Sequence, residues 1–244
     1  MLKSPYDTDC ITWSPQGRLF QIEYAMEAIK QGSLCVGLKS NDYAILATLN
    51  RAPSKLAEYQ QKLYEIDEHI GLCFSGLTAD GRLICKYLRT EALNYKYTHG
   101  TNINPQRLVG KLSDKAQIKT QRHSKRPYGV GCLVIGLDEN GPHVYETSPD
   151  ANFYEYYAVA IGARCQSAKT YLEKNYETFS NLSKDELIIH AVKAVKSSAQ
   201  SDVELNGRSV SVAIVGRDTP FKFLTSDEIE ATLSQLSQAM EVEV

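Results

Sequence analysis

The chain contains no apolar run approaching the roughly 18 residues that a membrane span needs. Its first residues, Met1-Leu2-Lys3-Ser4-Pro5-Tyr6-Asp7, lack the apolar core of a secretory signal. The expectation is a protein of the cytoplasm and nucleus that makes no membrane contact. Six cysteines are present: Cys10, Cys35, Cys73, Cys85, Cys132 and Cys165. No two form a C-x-x-C pair, and none stands at metal-ligand spacing from a histidine. Most lie in apolar stretches, where a reduced cysteine behaves as a small hydrophobe, so all six are read as core thiols. The five histidines are equally dispersed, and neither a metal nor any other cofactor is expected.

An excess of positive charge is also missing. A net charge of −2 gives no general attraction for nucleic acid. The one basic cluster, Lys115, Lys119, Arg122, His123, Lys125 and Arg126, reads as a solvated helix end followed by a loop. An RNA-binding or nuclease role centred there would need stacking aromatics or metal-binding carboxylates beside it, and it has neither. Low-complexity linkers and internal repeats are absent. The chain therefore divides only into an amino-terminal appendage, residues 1–32, and one domain, residues 33–244.

What is there is ample material for a buried core: 244 residues, 43% of them hydrophobic. Leu19, Ile22, Met26 and Ile29 recur at helical spacing, with Phe20, Tyr24 and Ala28 on the adjoining stripe. They predict an amphipathic helix over residues 19–31, closed by Gly32. Residues 34–39 and 43–49 read as a strand pair around Ser40-Asn41-Asp42, and residues 63–67 and 70–75 as a second pair. Helices follow over residues 78–97 and from the cap pair Asn104-Pro105. Strands return at residues 132–137, 143–147 and 153–160. Two more helices are expected over residues 163–176 and 184–198, the latter with a capping box of Ser183 and Glu186. Strands over residues 210–216 and 221–224 lead to a last helix near Thr225, ending before the acidic tail. Hairpins with helices grouped between them suit two stacked sheets covered by helices on both outer faces.

Several motifs go further. Tyr6-Asp7 followed by Trp13-Ser14-Pro15-Gln16-Gly17-Arg18-Leu19-Phe20-Gln21-Ile22-Glu23-Tyr24-Ala25 resembles the amino-terminal signature of proteasome alpha subunits. Ser75-Gly76-Leu77-Thr78-Ala79-Asp80, Arg126-Pro127-Tyr128-Gly129-Val130 and Ile161-Gly162-Ala163-Arg164 match the same family in order. The resemblance covers essentially the whole chain. It implies an α+β fold, the four-layer αββα sandwich of amino-terminal nucleophile hydrolases, with an extra amino-terminal helix. It also implies a non-catalytic subunit of the 20S core, with other alpha subunits in a heptameric ring and beta-ring subunits as partners. Regulatory particles or activators would dock through their carboxyl-terminal tails.

In that family the catalytic beta subunits use an exposed amino-terminal threonine whose own amino group helps activate it. Alignment on Val36-Gly37 places Ser33 at that position, Leu49 near the acidic position and Lys62 at the lysine. Leu49 can neither accept a proton nor orient an amine, so no catalytic residue is expected. The alternative is an active hydrolase using Ser33 after removal of residues 1–32. The resemblance further implies a gate cluster of Tyr6, Asp7, Pro15 and Tyr24, which holds the tail in its open position. Lys62, Gly76 and Leu77 match an activator-tail pocket in which the lysine would pair with a terminal carboxylate. Thr8 departs from the arginine that many relatives carry there, removing a charged contact with the adjacent subunit.

Overall fold

Short apolar runs between tight polar turns bury both faces only when sheets stack on one another and are covered outside. The computed structural model, which describes residues 5–52, 54, 56–199 and 205–242, has this arrangement. Met1 to Ser4 and the last two residues of the acidic tail lie outside the described residues. One sheet contains β1 (Cys35–Lys39), β2 (Tyr43–Leu49), β8 (Ala158–Ile161), β9 (Val210–Gly216) and β10 (Thr219–Phe223), in the order β10-β9-β2-β1-β8. The second contains β3 (Leu63–Asp67), β4 (Ile70–Gly76), β5 (Val130–Asp138), β6 (Gly141–Thr147) and β7 (Phe153–Glu155), in chain order.

Helices complete the four layers. α2 (Thr78–His99) and α3 (Pro105–Gln121) cover the second sheet. α4 (Cys165–Asn175), α5 (Lys184–Ser198) and α6 (Ser226–Val242) cover the first, and α1 (Phe20–Gln31) lies apart from both groups. The pleat sorts the core. Leu72, Phe74 and Val134 meet Leu88, Leu108 and Leu112 beneath α2 and α3. Their neighbours Cys73, Leu133 and Ile135 meet Cys35, Leu46 and Val215 between the sheets. Val36, Ile45 and Ile214 meet Leu187, Ala191 and Val195 under α5. The central strands β1, β2, β4, β5 and β9 are thus buried on both faces, which is why they read as apolar runs and not as alternating patterns.

Several boundaries differ from expectation. Residues 153–160 are not one strand. β7 pairs with β6, whereas β8 pairs with β1 in the other sheet. The chain crosses at Tyr156 and Tyr157: the Tyr156 amide donates to Val144 O at 2.8 Å, and the Lys39 amide donates to Tyr157 O at 3.0 Å. The next helix starts at Cys165 because Gly162 and Arg164 are left-handed, and its last turn becomes a 3₁₀ segment, Tyr176–Asn181. β10 spans Thr219–Phe223, and α6 runs on to Val242, into the acidic tail. The expected caps are present: Asn104 Oδ1 accepts from the Gln106 and Arg107 amides, and Ser183 and Glu186 form a capping box.

A single carboxylate ties the start of α2 to the entry of β5. Asp80 is buried and receives both Arg126 nitrogens, at 2.6 and 2.8 Å, together with the Gly129 amide at 3.0 Å. Burial alone would push its carboxyl up, but the Arg126 hydrogen bonds, the Gly129 amide and the guanidinium charge outweigh it and hold the carboxyl below its usual value. A lowered folded pKa contributes stability that is fully present above the unfolded value of about 3.9. That contribution is lost as pH falls through the folded pKa. Asp80→Asn should therefore lower stability at pH 7 by about 1–3 kcal/mol. The gap from the native chain should narrow below about pH 4, as read from denaturant midpoints at the two pH values.

Candidate functional site

Where α1 ends, four segments meet with no room for side chains. A Cβ on Gly32 would stand 2.2 Å from the Gly76 amide nitrogen and 2.3 Å from Ser75 Oγ. A Cβ on Gly162, whose φ is +104°, would stand 2.5 Å from Ser33 O. Ser75 Oγ donates to Ile29 O at 2.9 Å, and the Ala163 amide donates to Gly32 O at 2.8 Å. The end of α1 is thereby fastened to the ends of β4 and β8 and the approach to β1. The Ile29 side chain packs beside Gly131 of β5 and joins the layer between the sheets. No α1 residue is fully buried, and Met26 and Tyr24 are exposed. The expected apolar stripe is therefore only partly used within the chain.

The family resemblance assigns the position of a freed nucleophile to this junction. Ser33 is buried, and the carbonyl of the Gly32–Ser33 peptide is held by Ala163. Leu49 packs in the layer beneath α5, on the opposite face of the first sheet from Cys35. Lys62 is 5% exposed, with Nζ 5.7 Å from the centre of the Phe74 ring. Burial holds its ammonium below the ordinary lysine value. The arrangement has a buried serine, a desolvated lysine and no acidic partner at Leu49, which gives no acid–base relay.

The amino-terminal residues form a small hydrogen-bonded assembly against α1. Tyr24 Oη donates to Asp7 Oδ2 at 3.2 Å, and Gln21 Nε2 donates to Asp7 O. Pro15 sits in a reverse turn closed by the Gly17 amide on Ser14 O at 2.9 Å. The Arg18 guanidinium, which follows this turn, pairs with Glu23. The structure thus joins Asp7 to Tyr24 and places Pro15 in the turn leading to α1; Tyr6 is 37% exposed. Gln21 carries no signal of this role in the sequence. Its side chain becomes relevant only when α1 and the tail are in place.

Gly76 and Leu77 lie at the β4–α2 turn. Gly76 has φ +116°, and a Cβ there would stand 2.3 Å from Gly129 O. The chain's own backbone thus already requires glycine, and the Leu77 amide donates to the same carbonyl at 2.9 Å. Leu77 is 49% exposed, whereas Lys62 is buried. Of the basic cluster, Lys115 lies 3.5 Å over the Tyr87 ring, Lys119 4.5 Å over Tyr128, and Arg126 binds Asp80. These three make contacts within the chain, while Arg122, His123, Lys125 and Arg126 are exposed, in keeping with a solvated helix end and loop. The motif segments holding Asp80 and Arg126 stand out in the sequence, but their pairing does not. Five cysteines are buried and Cys165 is only partly so; burial pushes the Cys132 thiol up to about 12. Among the described residues no three His, Cys, Asp or Glu side chains cluster to hold a metal.

Comparison with known proteins bears on this geometry directly. The family described as "Proteasome subunit" matches residues 29–215, and the amino-terminal signature of A-type proteasome subunits matches residues 6–28. The chain belongs to the proteasome subunit family, and the amino-terminal signature puts it among the alpha-type, non-catalytic members. It is 46% identical to an alpha type-1 proteasome subunit of Dictyostelium discoideum, covering 100% of this chain and 99% of that one. It is 47% identical to an alpha type-1 proteasome subunit of Drosophila melanogaster, covering 93% and 83%. A probable alpha type-6 proteasome subunit of Schizosaccharomyces pombe is 44% identical over 97% and 87%. Residues 25–33 and 162–173, which meet at the junction of α1 with the sandwich, also resemble alpha type-1. The αββα sandwich is the fold that this family implies.

The junction carries a direct test. Gly32→Ala places a methyl group against backbone that cannot retreat, and overpacking of this kind costs about 1–3 kcal/mol. The variant should melt lower, and amide exchange should accelerate in residues 20–31 while the β4–β5 amides remain protected.

Proposed function

We propose that the chain takes a place in the outer ring of a proteasome core, beside six other alpha-type subunits and against a ring of beta subunits. Threonine-dependent catalytic sites on those beta subunits cut the substrate. This chain contributes to the gate and to activator docking in the intracellular, ubiquitin-linked degradation of proteins in cytoplasm and nucleus. The observation that carries this reading is the seating of α1 over the approach to β1, where an active relative would expose its nucleophile. The exposed Tyr24–Asp7 pair supports a role in setting the course of the tail. With Thr8 in place of arginine, the tail contributes less to locking the gate through its neighbour.

Lys62 supports docking. Its desolvated ammonium has no carboxylate within ion-pair distance among the described residues, so a terminal carboxylate would relieve the cost of burial. Lys62→Met keeps the aliphatic packing on Phe74 and removes the charge. In reconstituted particles this variant should weaken binding of a tail-inserting activator about ten- to a hundredfold at this pocket, the worth of one charge-assisted hydrogen bond. Basal peptide hydrolysis should be unchanged. Equal binding by the variant and the native chain would remove the pocket from the account.

A further inference from the structure

At the side of the sandwich where β7 and β8 end their sheets, a cavity of about 300 Å³ opens between the sheet edges and α4. Three carboxylates line it, Glu146, Glu155 and Glu173, against a single ammonium, Lys169. Glu155 is already taken, by Lys39 and by His143. Glu146 and Glu173 have no cation within ion-pair distance among the described residues. Burial pushes the Glu146 carboxyl up; the more distant Lys169 charge and a hydrogen bond with Tyr156 only partly offset this. At the mouth stand the Tyr157 and Tyr176 rings, 6.4 Å apart and 69% and 43% exposed.

A half-buried carboxylate without a cation, beside exposed tyrosine faces, is satisfied by a group that donates charged hydrogen bonds and lies on an aromatic ring. Lysine and arginine side chains do both. The position of the cavity indicates where such a side chain would come from. Exposed sheet edges call for cover, and exposed tyrosines are enriched at the centres of protein interfaces. A closed ring of related chains is built from heterologous contacts, which use two different faces of each chain. The sandwich offers two such faces, because β10 and β3 lie together at the other end of the sheets, joined by the Phe221 amide on Glu68 O at 2.7 Å.

We infer that the β7–β8 cavity receives a lysine or arginine side chain from the flanking alpha-type subunit, an inference that rests on the ring reading above. Replacing Tyr157 with photoreactive p-benzoylphenylalanine, in particles assembled around the full chain, tests it. Native mass spectrometry of those particles first reads whether the chain is incorporated at all. Irradiation should then link position 157 to a flanking alpha chain, within a segment containing lysine or arginine. The yield should fall several-fold with Glu146→Gln and Glu173→Gln combined. A link to a beta chain or to a segment without basic residues, or a yield indifferent to the glutamine variants, would overturn the inference while leaving the ring reading intact. Failure of the native chain to enter particles would overturn the ring reading itself.

Discussion

The backbone of Gly32 lies so close to Ser75 and Gly76 that no side chain fits between them. Most of what distinguishes this chain depends on that contact. It fixes where α1 ends, and the hydrogen bonds of Ser75 Oγ and the Ala163 amide then bind the helix to strands of both sheets. In a sandwich whose central strands are buried on both faces, the open ends of the layers are where chemistry can be placed. Here the end at β1 is occupied by the chain's own helix. The position that the family resemblance assigns to a freed nucleophile is taken up by a structural joint.

The surrounding features follow from that joint. Because α1 is held at its carboxyl-terminal end, its opposite end can carry Tyr24 and Gln21 to Asp7 and give the tail a defined course. Gly76 is part of the joint and also opens the turn to Leu77 and α2, which Asp80 then clamps to Arg126 and Gly129. α1 and the β4–α2 turn thus share the contact of Gly32 with Gly76, with the partly used apolar stripe of α1 left facing outward.

Much of the fold was legible in the sequence because its determinants are local. Turns such as Ser40-Asn41-Asp42, the Asn104-Pro105 cap and the Ser183–Glu186 box announce their elements within a few residues. The crossing at Tyr156 and Tyr157 was not legible, because residues 153–160 keep strand-like character while the pairing partner changes from β6 to β1. Nor was the bond between Asp80 and Arg126, which only the packed β4–α2 and β5 segments bring together. The residues proposed for the site were legible only as motifs: Tyr6-Asp7, Pro15, Tyr24 and Lys62-Leu63 match the family resemblance in sequence. Their physical state was not. Lys62 precedes a strand with mixed polar and apolar residues, and nothing in that pattern indicates that its stem would lie buried against Phe74. The steric need for Gly32 is likewise a property of four segments meeting, with no signature in any one of them.

The central claim is that α1 is a permanent part of the working protein and that the peptide between Gly32 and Ser33 stays intact. Intact-mass measurement on the chain recovered from assembled particles tests this most directly. The account predicts a chain that still carries α1 and the junction through Gly32, near the full 27.2 kDa. A mature chain beginning at Ser33 would contradict it, because the joint would then be a processing site and the buried serine a nucleophile in waiting.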